Sequence, residues 1–353
     1  MSENPDDTVE VKFERENLKN MMDKEKESNQ ETIDKDFIPH FFPTYRISRK
    51  FYPIPIIIVV VCAGILAYLT YVVAGVQVEG GYVSEEEHGV AAGLINGLIF
   101  VIMSAISSFV IIFLVKKGGI GILKYIFGFS FGILIFFLTL FFGQIILFLI
   151  FINLPETELV IISFYISYYT LLIGTVVFTV FMIYKYLTTV SFITKNFIVL
   201  YIGLLTGAML GVVMPLWTTL AILVGISLWD IYAVKAKRGP IKNMIDLASR
   251  ANGDEELSEA ELKEKLESGE IVYDTSKLEI GIGDLAFYSM LSSSALIFTG
   301  NIIIMILTAV AIIMGTGITI QGLKRNKILP GLPISIFLGI GTMLLSWYIF
   351  SII

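Results

Sequence analysis

The chain has 353 residues, of which 56% are hydrophobic and only 16% charged, with a formal net charge of −6. A soluble domain carries about a quarter of its residues as charges. The deficit and the acidic balance together exclude an ordinary soluble enzyme and the basic footprint of a nucleic-acid binder. A single cysteine, Cys62, permits no intrachain disulfide and says nothing about compartment.

Residues 1–50 are polar and charge-dense, with no early apolar core of the kind a secretory signal needs. They read as a solvated cytosolic segment, with one helical tract around Glu14–Lys26. Long apolar runs then follow at 51–75, 89–115, 122–153, 159–184, 197–214, 216–234, 281–299, 301–322 and 330–352. Each approaches the ~20 residues that cross ~30 Å of hydrocarbon as a helix. Two of the divisions rest on short breaks, at Met214-Pro215 and at Gly300-Asn301. A continuous helix through either would overshoot the bilayer, so a tight turn is expected at both. The predicted fold is an all-α multi-pass membrane protein of nine transmembrane helices.

The connections support that count independently. Basic clusters (Arg46/Arg49/Lys50, Lys116/Lys117/Lys124, Lys185/Lys195, Lys235/Lys237/Arg238, Lys324/Arg325/Lys327) alternate without exception with acidic or uncharged connections. The positive-inside rule then places the N-terminus in the cytosol and the C-terminus outside. Residues 51–234 hold helices 1–6, 235–279 form a cytosolic loop, and 280–353 hold helices 7–9. Within the loop, Leu257-Ser258-Glu259-Ala260-Glu261 is a capping box and Gly269 a stop, which predicts a short helix. The next stretch, Glu270–Asp274, is β-prone.

Two acids stand inside the apolar runs, and no others do: Asp230, near the end of the sixth, and Asp284, near the start of the seventh. A carboxylate in a span costs a few kcal/mol and marks a functional site by default. Asp230 lies five residues before Lys235 and Asp284 five residues after Glu279, so both sit ~7 Å inside the same membrane face at ~1.5 Å per residue. Spans joined by a loop are usually neighbours. Two carboxylates at matched depth on neighbouring helices resist double ionisation and share one proton. That state suits hydrolysis of an amide, with one carboxylate activating water and the other protonating the carbonyl. Taken singly, Asp284 also reads as a helix N-cap, and Asp230 as an interfacial acid paired with Lys235.

The segments around these acids carry a resemblance. Gly281-Ile282-Gly283-Asp284 resembles the GxGD motif of presenilins and signal peptide peptidases, and Leu285-Ala286-Phe287-Tyr288-Ser289 continues the pattern. Trp229-Asp230-Ile231-Tyr232-Ala233-Val234 resembles the presenilin YD motif, with Gly239-Pro240-Ile241-Lys242 following at the presenilin-like place. Leu329-Pro330-Gly331-Leu332-Pro333-Ile334-Ser335 is similar to the PAL motif. Three motifs in order on the sixth, seventh and ninth of nine spans make a specific signature over 197–353. Two departures stand out: Trp229 replaces the family tyrosine, and Gly331 the family alanine. The cytosolic N-terminus favours the presenilin branch. The resemblance implies an intramembrane aspartyl endopeptidase that hydrolyses peptide bonds within transmembrane segments, with Asp230 and Asp284 catalytic and no cofactor or metal.

The neighbouring residues suggest where a substrate would lie. Gly281 and Gly283 remove side chains beside Asp284, which admits another backbone or serves simple helix packing. Pro330 and Pro333 keep Pro330-Gly331-Leu332 from a regular helix, leaving an edge for a substrate strand, or else they begin a helix. Gly203, Gly207 and Gly211, and likewise Gly128 and Gly132, repeat at four-residue spacing and read as close-packing faces. Other protease chemistries lack their residues, because the only histidines, His40 and His88, lie outside the runs. Two rival readings remain: an ion or proton pathway through buried aspartates, and a prepilin-peptidase-like protease, which shares GxGD but not the PAL-like segment. The expected partners are transmembrane-helix substrates and the lipid bilayer.

Overall fold

The computed structural model describes residues 31–33, 42–119, 121–189, 191–235, 271–273, 277–323 and 330–352. The tract around Glu14–Lys26, the capping box at 257–261 and residues 239–242 lie outside them. Among the described residues nine helices are long and apolar enough to cross a membrane. They are α1 (Pro53–Tyr68, continued by a π turn over Leu69–Val73), α2 (Glu85–Gly118), α3 (Ile122–Phe151), α4 (Glu158–Thr188), α5 (Phe192–Val213), α6 (Leu216–Lys235), α7 (Ile282–Thr299), α8 (Ile302–Leu323) and α9 (Leu332–Ile352). The protein is an all-α multi-pass membrane protein.

Local sequence explains several helix ends. Pro53 and Pro55 open α1, where a missing N–H costs nothing. Ser84 caps α2 by accepting from the Glu86 N–H, and Gly89 kinks the helix at φ 53°. Thr157 caps α4 in the same way from Val160. The two expected tight turns are present. Met214 breaks from helical geometry before Pro215, and Gly300 ends α7 in the left-handed region at φ 62°. Helix ends run past several charges expected in connections, Lys124, Lys185 and Lys195 among them. Lys195, expected in a connection, lies inside α5 and is only 9% exposed. A lysine near a helix end can bury its stem along apolar neighbours, so the helix runs on past it.

The helices divide into a lipid-facing group and a buried one. α7 is the most enclosed of the nine. Its Leu285, Tyr288, Met290, Leu291 and Ala295 share one apolar core with Ile56 and Val59 of α1, Leu223 of α6, Ile312 of α8 and Ile336 of α9. Close approach comes from glycine. A Cβ on Gly207 would lie 2.6 Å from the Ala286 carbonyl oxygen, and one on Gly211 2.5 Å from Ser293 Cβ, so α5 lies directly against α7. Gly128 and Gly132 face Leu187 and Ile183 of α4 in the same manner. Gly93 and Gly97 admit Trp217 and Ala221, which seats α2 on α6. At the start of α6 the Glu85 carboxylate takes the otherwise unpaired N–H groups of Trp217 and Thr218.

Four short strands complete the description. β1 (Glu31–Ile33) pairs in parallel with β3 (Ile271–Tyr273). β2 (Thr44–Ser48) pairs antiparallel with β4 (Lys277–Gly281), from Thr44 opposite Gly281 to Ser48 opposite Lys277. Residues 44–48, read from sequence as part of a solvated segment, are therefore folded against the helices. Tyr45 packs on the main core, and burial pushes its phenol pKa up. The β-prone stretch before α7 does contain a strand, β3, but the one that leads into Asp284 is β4.

Candidate active site

Asp230 stands on α6 and Asp284 in the first turn of α7, both half-buried. The N-cap of α7 is Gly281, so Asp284 occupies the third helical position rather than the cap itself. From there its carboxylate reaches back to the Gly281 N–H, half of a capping box. The helix start thus holds Asp284 in one orientation.

Asp230 is held by a different helix start. Pro330 and Gly331 are not helical, and α9 begins at Leu332 with Pro333 in its first turn. The first N–H groups of a helix have no partner within it. Here the Leu332 N–H donates to Asp230 Oδ2 at 3.3 Å, and Gly331 supplies a second backbone donor. The positive end of α9 therefore faces Asp230.

The same short segment meets the second acid. A Cβ built on Gly331 would lie 3.4 Å from Asp284 Oδ2. Pro330–Leu332 thus lies beside both carboxylates, and the two acids influence each other electrostatically. Three segments far apart in sequence converge at one place. A carboxylate pair beside backbone donors can hold a water molecule, exchange its proton and polarise a carbonyl.

The glycines beside Asp284 leave open space. A side chain at Gly281 would meet only the Asp284 carboxyl, at 3.6 Å, and Gly283 is exposed, with only Phe287 Cε2 near at 3.9 Å, among the described residues. A backbone does come alongside Gly281, since it pairs with Thr44 of β2. Trp229, where the resembling motif carries tyrosine, points away from this cluster. It packs edge-on to Phe109 at 6.5 Å and lines an apolar groove of about 780 Å³ between α2 and α6.

Two features here were not anticipated from sequence. Below Asp284 the buried Tyr288 hydroxyl accepts from Thr316 Oγ1 at 3.4 Å, and Thr316 Oγ1 lies 3.0 Å from Ser335 Oγ. This hydroxyl cluster ties α7, α8 and α9 together; the same spans carry other hydroxyls, Ser289, Ser292 and Thr308 among them, so sequence alone does not single it out. The other is the side-chain brace on β4. Arg46 Nε lies 2.7 Å from Glu279 Oε1, and Thr44 Oγ1 donates to Glu279 Oε2 at 2.9 Å. No local pattern announces a contact 235 residues apart.

Comparison with known proteins bears on the family and the fold. The family model described as presenilin matches residues 45–256 and 249–353. Presenilin-B of Dictyostelium discoideum is 35% identical over 133 residues, which is 36% of this chain and 25% of that protein. The match thus spans about a quarter of that relative's length. Two solved structures of a presenilin family intramembrane aspartate protease, in C222 and P2 crystal forms, share the fold. Their TM-scores are 0.52 and 0.51 at 17% and 16% identity, covering 83% and 84% of this chain and 97% and 96% of theirs. On the family match over nearly all of residues 45–353, this chain belongs to the presenilin family.

Proposed function

We propose that the protein is an intramembrane aspartyl endopeptidase that hydrolyses peptide bonds within the transmembrane segments of other proteins, with Asp230 and Asp284 as its catalytic pair. One observation carries the reading: Pro330–Leu332 lies beside both intramembrane carboxylates, with the Leu332 N–H donating to Asp230 Oδ2 at 3.3 Å and Gly331 next to Asp284 Oδ2. Membership of the presenilin family supports the same chemistry.

In the mechanism, one carboxylate accepts a proton from water as the water oxygen attacks the scissile carbonyl carbon. The other donates its proton to the carbonyl oxygen, giving a tetrahedral diol. The C–N bond then breaks as the amine takes a proton from one carboxyl and a diol hydroxyl gives its proton to the other, so the carboxylic acid product leaves and the pair again holds one proton. A peptide bond inside a helix is shielded, so the substrate opens locally to an extended form. Open space at Gly281 and Gly283 and the non-helical backbone at Pro330-Gly331-Leu332 give that segment its place, and β4 offers an edge beside Asp284. The alternation of basic connections supports a cytosolic N-terminus, a cytosolic segment 1–50 and loop 235–279, and an outside C-terminus.

The test is direct. Purified protein is incubated with a labelled transmembrane peptide in detergent, with and without a transition-state inhibitor of aspartyl proteases, and ion flux is measured in liposomes. Inhibitor-sensitive cleavage without flux is expected. Flux without cleavage would replace this reading with the ion-pathway one.

A further inference from the structure

α8 carries no charged side chain, yet it stands where the Asp284 helix and the start of α9 meet. Gly315 removes the side chain that would hold α9 off. A Cβ there would lie 2.5 Å from the Ser335 Cα and 2.9 Å from its backbone nitrogen. One turn further along α9, a Cβ at Gly339 would lie 2.7 Å from Leu291 Cδ2 of α7 and 3.0 Å from Ile312 Cγ1 of α8. The first two turns of α9 are therefore seated in a notch between α7 and α8.

Apolar contact is non-directional. It sets how closely these helices approach, and leaves sliding and rotation to be fixed by something else. Three buried hydroxyls at the junction supply that direction. Thr316 Oγ1 lies 3.0 Å from Ser335 Oγ and 3.4 Å from the Tyr288 hydroxyl, and Ser335 closes the triangle with a bond to the same phenol. Thr316 Oγ1 also lies 2.9 Å from the Ile312 carbonyl of its own helix, which fixes its rotamer.

Each leg of the triangle ends one helical turn from the site. Tyr288 is four residues beyond Asp284 on α7, and Ser335 three residues beyond Leu332 on α9. A displacement at the hydroxyls is thus passed on to the site with little attenuation. The contact most exposed to it is the Leu332 N–H bond to Asp230 Oδ2, which at 3.3 Å is already long. A retreat of α9 by a few tenths of an ångström would break it.

We infer that Tyr288, Thr316 and Ser335 form a brace that sets the start of α9 against α7, and so holds the Gly331 and Leu332 N–H groups on Asp230 with Asp284 alongside. The inference rests on the proteolytic reading above and makes the three hydroxyl residues positioning residues. They act through the backbone of Gly331 and Leu332 rather than on the substrate.

The experiment compares the full-length wild-type protein in detergent with Tyr288→Phe, Thr316→Val, Ser335→Ala, the conservative Thr316→Ser, and Thr308→Val as a control. Thr308 is also buried on α8, about two turns from Thr316, and bonds the Ile304 carbonyl of its own helix at 2.7 Å. Four quantities are measured: kcat and KM on a labelled transmembrane peptide, the Kd of a transition-state inhibitor of aspartyl proteases, and hydrogen exchange at the Gly331 and Leu332 amides. Tyr288→Phe, Thr316→Val and Ser335→Ala should each lower kcat roughly three- to tenfold, leave KM within about twofold, weaken the inhibitor by a factor similar to the loss in kcat, and speed exchange at both amides. Thr316→Ser and Thr308→Val should match wild type in all four. Thr316→Val keeps the side-chain shape and leaves Ser335 and Tyr288 bonded to each other, so a lower kcat there reports the lost hydroxyl rather than a cavity. Wild-type kcat and exchange in Thr316→Val, an equal loss in Thr308→Val, or a loss that Thr316→Ser does not restore would overturn the brace. If wild-type protein cuts nothing, the proteolytic reading fails, and exchange still decides the brace: faster exchange at Gly331 and Leu332 in Thr316→Val supports it, and unchanged exchange overturns it.

Discussion

Replacing Gly331 tests the contact that defines the site. Gly331 does not adopt a positive φ, so its backbone accepts an L side chain. A Cβ there would lie 3.4 Å from Asp284 Oδ2, an ordinary van der Waals separation, with no other atom within 4 Å among the described residues. Gly331→Ala should therefore fold and cleave at close to the wild-type rate, with a gain of about 0.4–1 kcal/mol from the stiffer unfolded chain. Gly331→Val adds two methyl groups about 1.5 Å beyond that Cβ, in a space bounded by Asp284 and by the start of α9. Overpacking of this kind costs about 1–3 kcal/mol, or roughly 5- to 150-fold in rate if the strain falls on the transition state. Initial rates on a transmembrane peptide in detergent, with thermal unfolding measured alongside, give both numbers. Valine at the wild-type rate, or alanine slower by tenfold or more in a folded protein, would refute the placement of Gly331 between substrate and Asp284.

Further outcomes follow from other contacts. Gly207→Ala brings a methyl to 2.6 Å from the Ala286 carbonyl and forces α5 away from α7, for a loss of about 1–3 kcal/mol in thermal stability and a fall in activity; Gly341→Ala, inside α9 with nothing within 4 Å, should leave activity unchanged and gain about 0.5–1 kcal/mol, and equal effects would refute the close packing. Cleavage followed from about pH 4 to about pH 9 should be bell-shaped, falling at low pH as both carboxyls are protonated and at high pH as the shared proton is lost; activity rising steadily to the alkaline end would contradict a shared proton. In a Cys62→Ala background, Lys117→Cys should label only from the cytosolic side and Glu156→Cys only from outside, and the reverse pattern would invert the topology.

Much of the fold was legible because the bilayer imposes a length on every span. Run length and the alternation of basic connections locate the helices, and Pro215 and Gly300 mark the two tight turns by their own backbone limits. Asp230 and Asp284 stood out because a carboxylate in hydrocarbon is too costly to be incidental. Sequence spacing gave their common depth, but it did not anticipate that Leu332 and Gly331 would give backbone donors to Asp230, because that depends on where α9 begins in space. β2 was missed for a related reason. Thr44–Ser48 is short, polar and charged, and its strand character comes from a partner 235 residues away. Lys195 misled because a charge usually marks a loop, whereas here its stem is buried within α5.

The central claim is that the two intramembrane aspartates act as one unit. Asp230→Asn and Asp284→Asn each keep the shape of the side chain but remove the carboxylate. The most direct measurement is cleavage of a labelled transmembrane peptide by each purified variant beside wild type, with thermal unfolding confirming that all three are folded. Because neither carboxylate can replace the other, each variant should lose cleavage completely, and the double variant should be no worse. Cleavage persisting above a trace in either single variant would contradict the account.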